Sequence, residues 1–301
     1  MVVVAVHEPH ESIRMSQLTD YAENKLADWV RGQSLPFASS WRWAPLSAAD
    51  DGSLTEVTGT GIARFVMTRN LTNMSGTQGA GTTLASTGTS HVTSNNVAID
   101  CGTATGAVGT VTHLGLFDAT SGGNCWAYTP LDVPIVTANG VAILFPINSI
   151  AFSLGLTGGM TDYLANKLID LFFRGQSYSW PATTYLKALI AAPTNAGGGT
   201  EVGGGVGYAR VAIASSYASW SGTQSPGTTV ASTGTTGRIS NNAQLLFPDP
   251  TGAWGAIGWG GLDDASSAGN PLFWGALTTP KSIGVGVPLV YAANTLGITW
   301  A

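Results

Sequence analysis

The chain has 301 residues, 44% of them hydrophobic and only 10% charged, with 12 Lys+Arg against 17 Asp+Glu and a formal net charge of −5. That apolar content excludes a disordered chain, and cations scattered singly exclude a basic nucleic-acid face. No apolar run approaches the roughly 18 residues of a membrane span, while 40 glycines among abundant Ser and Thr point to short turns joining many strands.

In chain order, residues 1–14 read as an N-terminal arm. Its apolar residues Val2, Val3, Val4 and Val6 make too short a run, without a basic flank, for a secretion signal. They are expected to form an assembly strand that adds to a neighbour's sheet edge. A helix follows, because Ala22, Leu26, Trp29 and Val30 fall at helical spacing. Thr or Asp can cap its start, and Gly32 stops it behind Arg31. Strands fill the rest of a first unit that ends at 155. They are interrupted by a long polar connection, SGTQGAGTTLASTGTS, at 75–90. Alternation of Val141, Ile143 and Phe145, then of Ile150, Phe152 and Leu154, predicts two strands, with Asn148 closing them as an antiparallel hairpin.

The same order then recurs. MTDYLANKLIDLFFRGQS at 160–177 answers LTDYAENKLADWVRGQS at 18–34, with one residue inserted before the Arg. SGTQSPGTTVASTGTT at 221–236 answers 75–90 at an offset of 146 residues, and GLDDA at 261 answers GLFDA at 115. Leu164, Leu168, Leu171 and Phe172 mark the second helix, with Gly175 behind it. Val287, Leu289 and Tyr291, then Leu296, Ile298 and Trp300, mark the closing strands around Asn294. The expected architecture is mainly β: two tandem β-sandwich or jelly-roll-like domains, 15–155 and 160–301, each with an N-terminal α-helix.

Duplication acts as a filter on chemistry. A residue that serves the fold of the unit recurs, whereas one serving a single active site need appear only once. His7, His10, His91 and His113 all lie in the first half, and Gly237 and Trp259 replace the last two in the second. His7, Glu8 and His10 lack the further ligands that a zinc site needs. The adjacent acids Asp50-Asp51 and Asp263-Asp264 would face opposite sides of a strand, unlike the facing carboxylates of a glycosidase. Asp118 and Asp264 are equivalent and read as turn residues. No G-x-S-x-G elbow occurs, and GGGTEVGGGVGYAR at 197–210 lacks the closing Lys-Ser/Thr of a phosphate loop. Cys101 and Cys125 correspond to Phe247 and Pro271, so they are expected as buried thiols rather than a disulfide framework. No catalytic, cofactor-binding or metal-binding residue is expected.

Charges, by contrast, recur. Asp20, Lys25, Asp28, Arg31, Glu56 and Arg64 return as Asp162, Lys167, Asp170, Arg174, Glu201 and Arg210. Structural ion pairs are expected: Lys25 is a neighbour of Asp28 at i,i+3, and Glu56–Arg64 and Glu201–Arg210 would pair across a hairpin. Trp180, Trp220, Trp254, Trp259 and Trp274 are expected in a core or an interface.

The stretches MTDYLANKLIDLFFRGQSYSWPATTYLKAL, GTEVGGGVGYAR, NNAQLLFP and WGAIGWGGLDDASSAGNPLFWGAL closely resemble small tail-fibre-type structural proteins of tailed bacteriophages. The second copy carries the resemblance along its length. The first is a degraded version, with GTGIAR for GVGYAR and GNCWAYTPL for GNPLFWGAL. The resemblance implies a virion component, made in the host cytoplasm, without catalytic residues or cofactors. The expected function is a non-enzymatic virion structural protein, tail-fibre or tail-associated and exposed on the particle. The alternatives are a capsid decoration or cement protein stabilising the head lattice, and a glycan-binding or glycan-cleaving adhesin. Expected partners are other virion proteins (tail, baseplate or major capsid protein) and copies of the chain itself, with a trimer favoured. An adhesin would add a host surface glycan. Neither nucleic acid nor membrane insertion is expected.

Overall fold

The computed structural model describes residues 13–15, 17–50, 53–154 and 159–300. The arm residues Val2, Val3, Val4 and Val6, together with His7 and His10, lie outside the described residues. Copy one opens with β1 (Ile13–Met15), β2 (Gln17–Leu18) and helix α1 (Asp20–Val30). Strands β3 (Ser40–Asp50), β4 (Ser53–Glu56) and β5 (Phe65–Thr68) follow, and after the long polar connection come β6 (Val92–Ser94) and β7 (Ile99–Thr103). The copy closes with β8 (Thr110–Phe117), β9 (Cys125–Val136), β10 (Ala142–Phe145) and β11 (Ile150–Ser153). Copy two repeats the plan with α2 (Asp162–Phe173), β12 (Thr183–Ala191), β13 (Thr200–Glu201), β14 (Val211–Ala214) and β15 (Arg238–Ser240). Then come β16 (Leu245–Leu246), β17 (Gly255–Asp263), β18 (Pro271–Ile283), β19 (Val290–Tyr291) and β20 (Gly297–Thr299).

Each copy has one large sheet, ordered β2-β9-β8-β3-β4 in copy one and β13-β12-β17-β18 in copy two, with β5 and β14 also paired to β3 and β12. Opposite it lie two small ribbons: β7 with β10 and β6 with β11 in copy one, β16 with β19 and β15 with β20 in copy two. The core lies between these layers. In copy one Trp41, Trp43, Leu114 and Leu116 of the sheet meet Ile99, Ile143, Phe145 and Phe152 of the ribbons. In copy two Leu186, Ile213 and Leu262 meet Ile239, Phe247, Leu289 and Ile298.

The expected hairpins at Asn148 and Asn294 are not formed. Both residues do turn the chain, at φ +62° and +67°, but β10 pairs with β7 and β11 with β6. Asn95 explains the separation, because it sits inside the turn and takes the backbone groups that a hairpin would pair. Its amide donates to Pro146 O at 2.7 Å, its carbonyl oxygen accepts from Ile150 N at 2.8 Å, and its backbone C=O accepts from Asn148 N at 2.8 Å. Asn241 does the same with Ala292, Leu296 and Asn294. The chain therefore switches ribbon at this point instead of folding back on itself.

The helices begin on their own sheet and end in the other copy. Thr19 caps α1 by accepting from Ala22 N, and its hydroxyl donates to Cys125 O at the start of β9, 2.7 Å away. Thr161 caps α2 and donates to Pro271 O at the start of β18 in the same way. Farther along, Leu26, Ala27, Trp29 and Val30 of α1 pack into the core of copy two, and Phe172 and Phe173 of α2 pack into the core of copy one. Trp29 meets Trp180 at 4.9 Å between ring centroids. Trp41 stacks on Phe172 at 5.1 Å and donates its indole N–H to Phe172 O at 2.8 Å. Burial of each such ring contributes about 2–3 kcal/mol, so the two lobes hold each other together.

Candidate functional site

The repeated polar phrase makes a self-tied loop in each copy. Ser75 N donates to Ser94 O at 2.8 Å and Gln78 Nε2 to Ala85 O at 2.8 Å. In copy two Ser221 reaches Ser240 O at 2.7 Å and Gln224 reaches Ala231 O at 2.8 Å. Gly88 and Gly234 are required by packing: a Cβ there would stand 2.1 Å from Thr77 O and 2.3 Å from the Thr223 carbonyl.

What the loops hold is the helix of the opposite copy. In the seam on copy one, Asp170 accepts from Ser86 N at 2.9 Å and Ser86 Oγ at 2.6 Å. Arg174 donates to Met74 O at 3.0 Å, Leu84 O at 2.6 Å and Ser86 Oγ at 3.1 Å, and pairs with Asp170 at 2.5 Å. The seam on copy two mirrors this. Asp28 accepts from Ser232 N at 3.1 Å, while Arg31 donates to Trp220 O at 3.0 Å and Ser232 Oγ at 3.1 Å and pairs with Asp28 at 2.7 Å. One residue is inserted in α2, yet the pair survives as i,i+4 instead of i,i+3, since both spacings share a helix face. Both guanidinium groups are fully buried, and their several acceptors are what make that burial tolerable.

Asn24 and Asn166 complete the clamp. Their amides donate to Gly234 O and Gly88 O, each at 3.0 Å, and their carbonyls accept from Thr223 and Thr77 of the opposite loop. Sequence reasoning passed over these asparagines and the serines because it followed charges alone. The signal was present, since N-K follows at matching positions in both helices and the two phrases share the serine. At the helix ends, Gly32 (φ +85°) and Gly175 (φ +67°) let the backbones of Ser215 and Arg69 approach to within 2.4 and 2.5 Å of where a Cβ would lie. The expected Lys25–Asp28 pair is not made: Asp28 is taken by Arg31, and the Lys25 ammonium lies over the Tyr21 ring at 5.3 Å, as Lys167 lies over Tyr163 at 5.6 Å.

The Glu–Arg pairs stand elsewhere, at the junction of two strands on one edge of the large sheet rather than across a hairpin, since β4 and β5 both pair with β3. Arg64 reaches Glu56 at 3.0 Å and binds Gly122 O at 2.9 Å in the β8–β9 turn. Arg210 reaches Glu201 at 2.7 Å and binds Ala265 O at 2.7 Å in the matching turn. Asp118 and Asp264 close those turns by accepting from Asn124 N at 2.8 Å and Asn270 N at 2.6 Å. Behind the pair the copies diverge. In copy one the Arg64 guanidinium lies 3.9 Å from the Phe117 ring centroid; in copy two Asp263 replaces that ring and binds Arg210 at 2.9 Å and Lys187 at 2.8 Å. Burial holds Asp263 above the usual carboxylate range despite both cations.

The remaining singled-out residues do not converge. His91 is buried and meets Asp162 at 2.5 Å, a contact between copies, whereas the His113 ring is edge-on to Tyr128 at 6.2 Å. Cys101 and Cys125 are free thiols in separate apolar clusters, both pushed by burial to about 12. Trp180, Trp220 and Trp254 are buried, and Trp259 and Trp274 are half-buried. Among the described residues no three His, Cys, Asp or Glu side chains are grouped to hold a metal, and no helix is long and apolar enough to cross a membrane.

This arrangement defines a duplicated β-sandwich structural protein whose twice-kept polar residues join its own halves. The family model described as Podophage GP4 fiber I protein gp80 matches residues 17–153 and, a second time, residues 159–299. The chain belongs to this family of phage tail-fibre structural proteins, as a tandem duplicate of its unit, and membership makes it a structural component of the virion that associates with other virion proteins. No curated protein matches the chain.

Proposed function

We propose that the chain is a non-enzymatic building block of the podophage tail fibre, exposed on the particle and joined to further copies of itself through its N-terminal arm. The reciprocal clamp carries this reading. Asp28, Arg31 and Asn24, with Asp170, Arg174 and Asn166, are all engaged in locking one lobe to the other. The result is a stiff double unit suited to bearing load. The charge-poor, hydroxyl-rich composition suits a surface that meets solvent and neighbours without attracting nucleic acid.

Quantifying copies per purified virion tests the placement. About six to a few dozen, as the rotational symmetry of a tail implies, is the expected result. Hundreds would put the chain on the head and overturn the tail assignment. Incubation with host surface polysaccharide tests the other half of the proposal, and any depolymerisation would overturn the non-enzymatic reading.

A further inference from the structure

One buried pair of reactive side chains belongs to copy two alone. Lys187 on β12 stands opposite Gly261 on β17, two places from Asp263, so the two side chains share a face of the large sheet on neighbouring antiparallel strands. Gly261 leaves room for the lysine stem, since a Cβ there would stand 2.7 Å from Lys187 Cε. By the same register copy one has Ala44 and Phe117, both inside a small apolar cluster. The two partners are therefore exchanged together between the copies, apart from the ion pairs that both copies keep.

Their geometry suits bond formation. Lys187 Nζ lies 2.8 Å from Asp263 Oδ1 and 2.8 Å from Oδ2, so it faces the carboxyl carbon rather than a single oxygen. A nitrogen so placed is roughly 3 Å from Cγ, within the range of a near-attack pair. Oδ1 has no aligned hydrogen bond, whereas Oδ2 accepts from Lys187 and lies 2.9 Å from Arg210 Nη1. Asp263 is 2% exposed and Lys187 8%, which keeps bulk water from the pair. Burial raises the Asp263 carboxyl, favouring the protonated acid that an amine can attack. Glu201, the other carboxylate of the cluster, is engaged by Arg210 and Tyr208.

We propose that Lys187 and Asp263 join through an isopeptide bond, a covalent staple that the chain makes for itself between β12 and β17. The step balances within the pair. The ammonium passes one proton to Oδ1, and Nζ then attacks Cγ of the resulting acid to form the N–Cγ bond. A second proton moves from nitrogen to Oδ1, the Cγ–Oδ1 bond breaks, and one water leaves with no change of oxidation state. Oδ1 is placed to take both protons, and Arg210 steadies the negative charge on Oδ2 in the tetrahedral intermediate. Fixed reactants and the exclusion of water supply the drive that a free acid and amine lack in solution. The first proton transfer runs against the charge of Arg210, so closure is slow, and Asp263 titrates as a carboxyl until it occurs.

The test follows the intact mass of the full chain, denatured for measurement, from purification through several weeks at neutral pH. The mass is expected to fall by one water, and a digest is expected to yield a branched peptide joining the segments around Lys187 and Asp263. Lys187→Arg keeps a cation beside Asp263 but has no amine to close the bond. It is expected to hold its sequence mass throughout, with circular dichroism showing that it is folded. A water loss that persists in Lys187→Arg would place the reaction elsewhere and overturn the bond. A parent chain that never leaves its sequence mass would overturn it equally. A branched peptide in which Glu201 takes the place of Asp263 would overturn the pairing.

Discussion

Asp170 accepts both the backbone N–H and the hydroxyl of Ser86, at 2.9 and 2.6 Å, although the two residues belong to different copies of the unit. The seam is closed to bulk solvent, with Arg174 fully buried and Asp170 6% exposed. Removing the carboxylate would strand a buried guanidinium. Asp170→Ala is therefore expected to destabilise the fold by about 3–5 kcal/mol, with a smaller loss in Asp170→Asn, which keeps an acceptor for Ser86. Urea unfolding of both variants checks this: equal losses would show that the acceptor kept by Asn contributes nothing, and an unchanged Asp170→Asn would show that the charge plays no part.

The helix-end glycines separate backbone strain from collision. Gly81 has φ +78° with nothing within 4 Å of where a Cβ would lie, so Gly81→Ala is expected to cost only the left-handed penalty of about 1–2 kcal/mol. Gly32→Ala and Gly175→Ala add a clash with the backbone of the opposite copy and are expected to cost clearly more. Similar losses at all three positions, measured from unfolding midpoints, would contradict the close approach.

Acid stability divides between two neighbouring carboxylates. Burial pushes Glu201 up, but its bonds from Arg210 and Tyr208 outweigh this and hold it below its ordinary 4.5. Such a group contributes stability above the unfolded value that is lost as pH falls through the folded one. Asp263, raised by burial from 3.8, has the opposite sign: its contribution is full below the unfolded value and is lost as pH rises through the folded one. Between about pH 6 and about pH 3, urea midpoints are expected to fall less steeply in Glu201→Gln than in the parent, and more steeply in Asp263→Asn. Parallel curves for all three proteins would refute the assignment.

Both thiols sit at about 12 because burial disfavours the thiolate. A thiol reagent at neutral pH is expected to label neither Cys101 nor Cys125 in the native protein and both after unfolding. Rapid native labelling of either would show that its cluster opens.

Much of the fold was legible in the residues. The N-caps, the stop glycines and the apolar spacing mark both helices, because a helix end and a buried stripe each demand particular residue types at fixed positions. Period-two patterns found the closing strands, yet their pairing was misread: alternation says which face is buried, not which neighbour supplies the hydrogen bonds, and Asn95 decides that from far along the chain. Similarly, Lys25 and Asp28 are helix neighbours on spacing alone, but the folded seam offers Asp28 the fully buried Arg31 instead.

By itself, then, the sequence determined that the unit is doubled, that each half is a helix plus strands, and which polar side chains both halves keep. Only the tertiary structure decided that each helix crosses to the other copy's loop. The two helices and the two loops are so alike that either helix carries suitable partners for either loop, so local chemistry cannot choose between them. Anchoring of Thr19 and Thr161 to their own sheets makes the choice, by aiming each helix out of the lobe in which it starts.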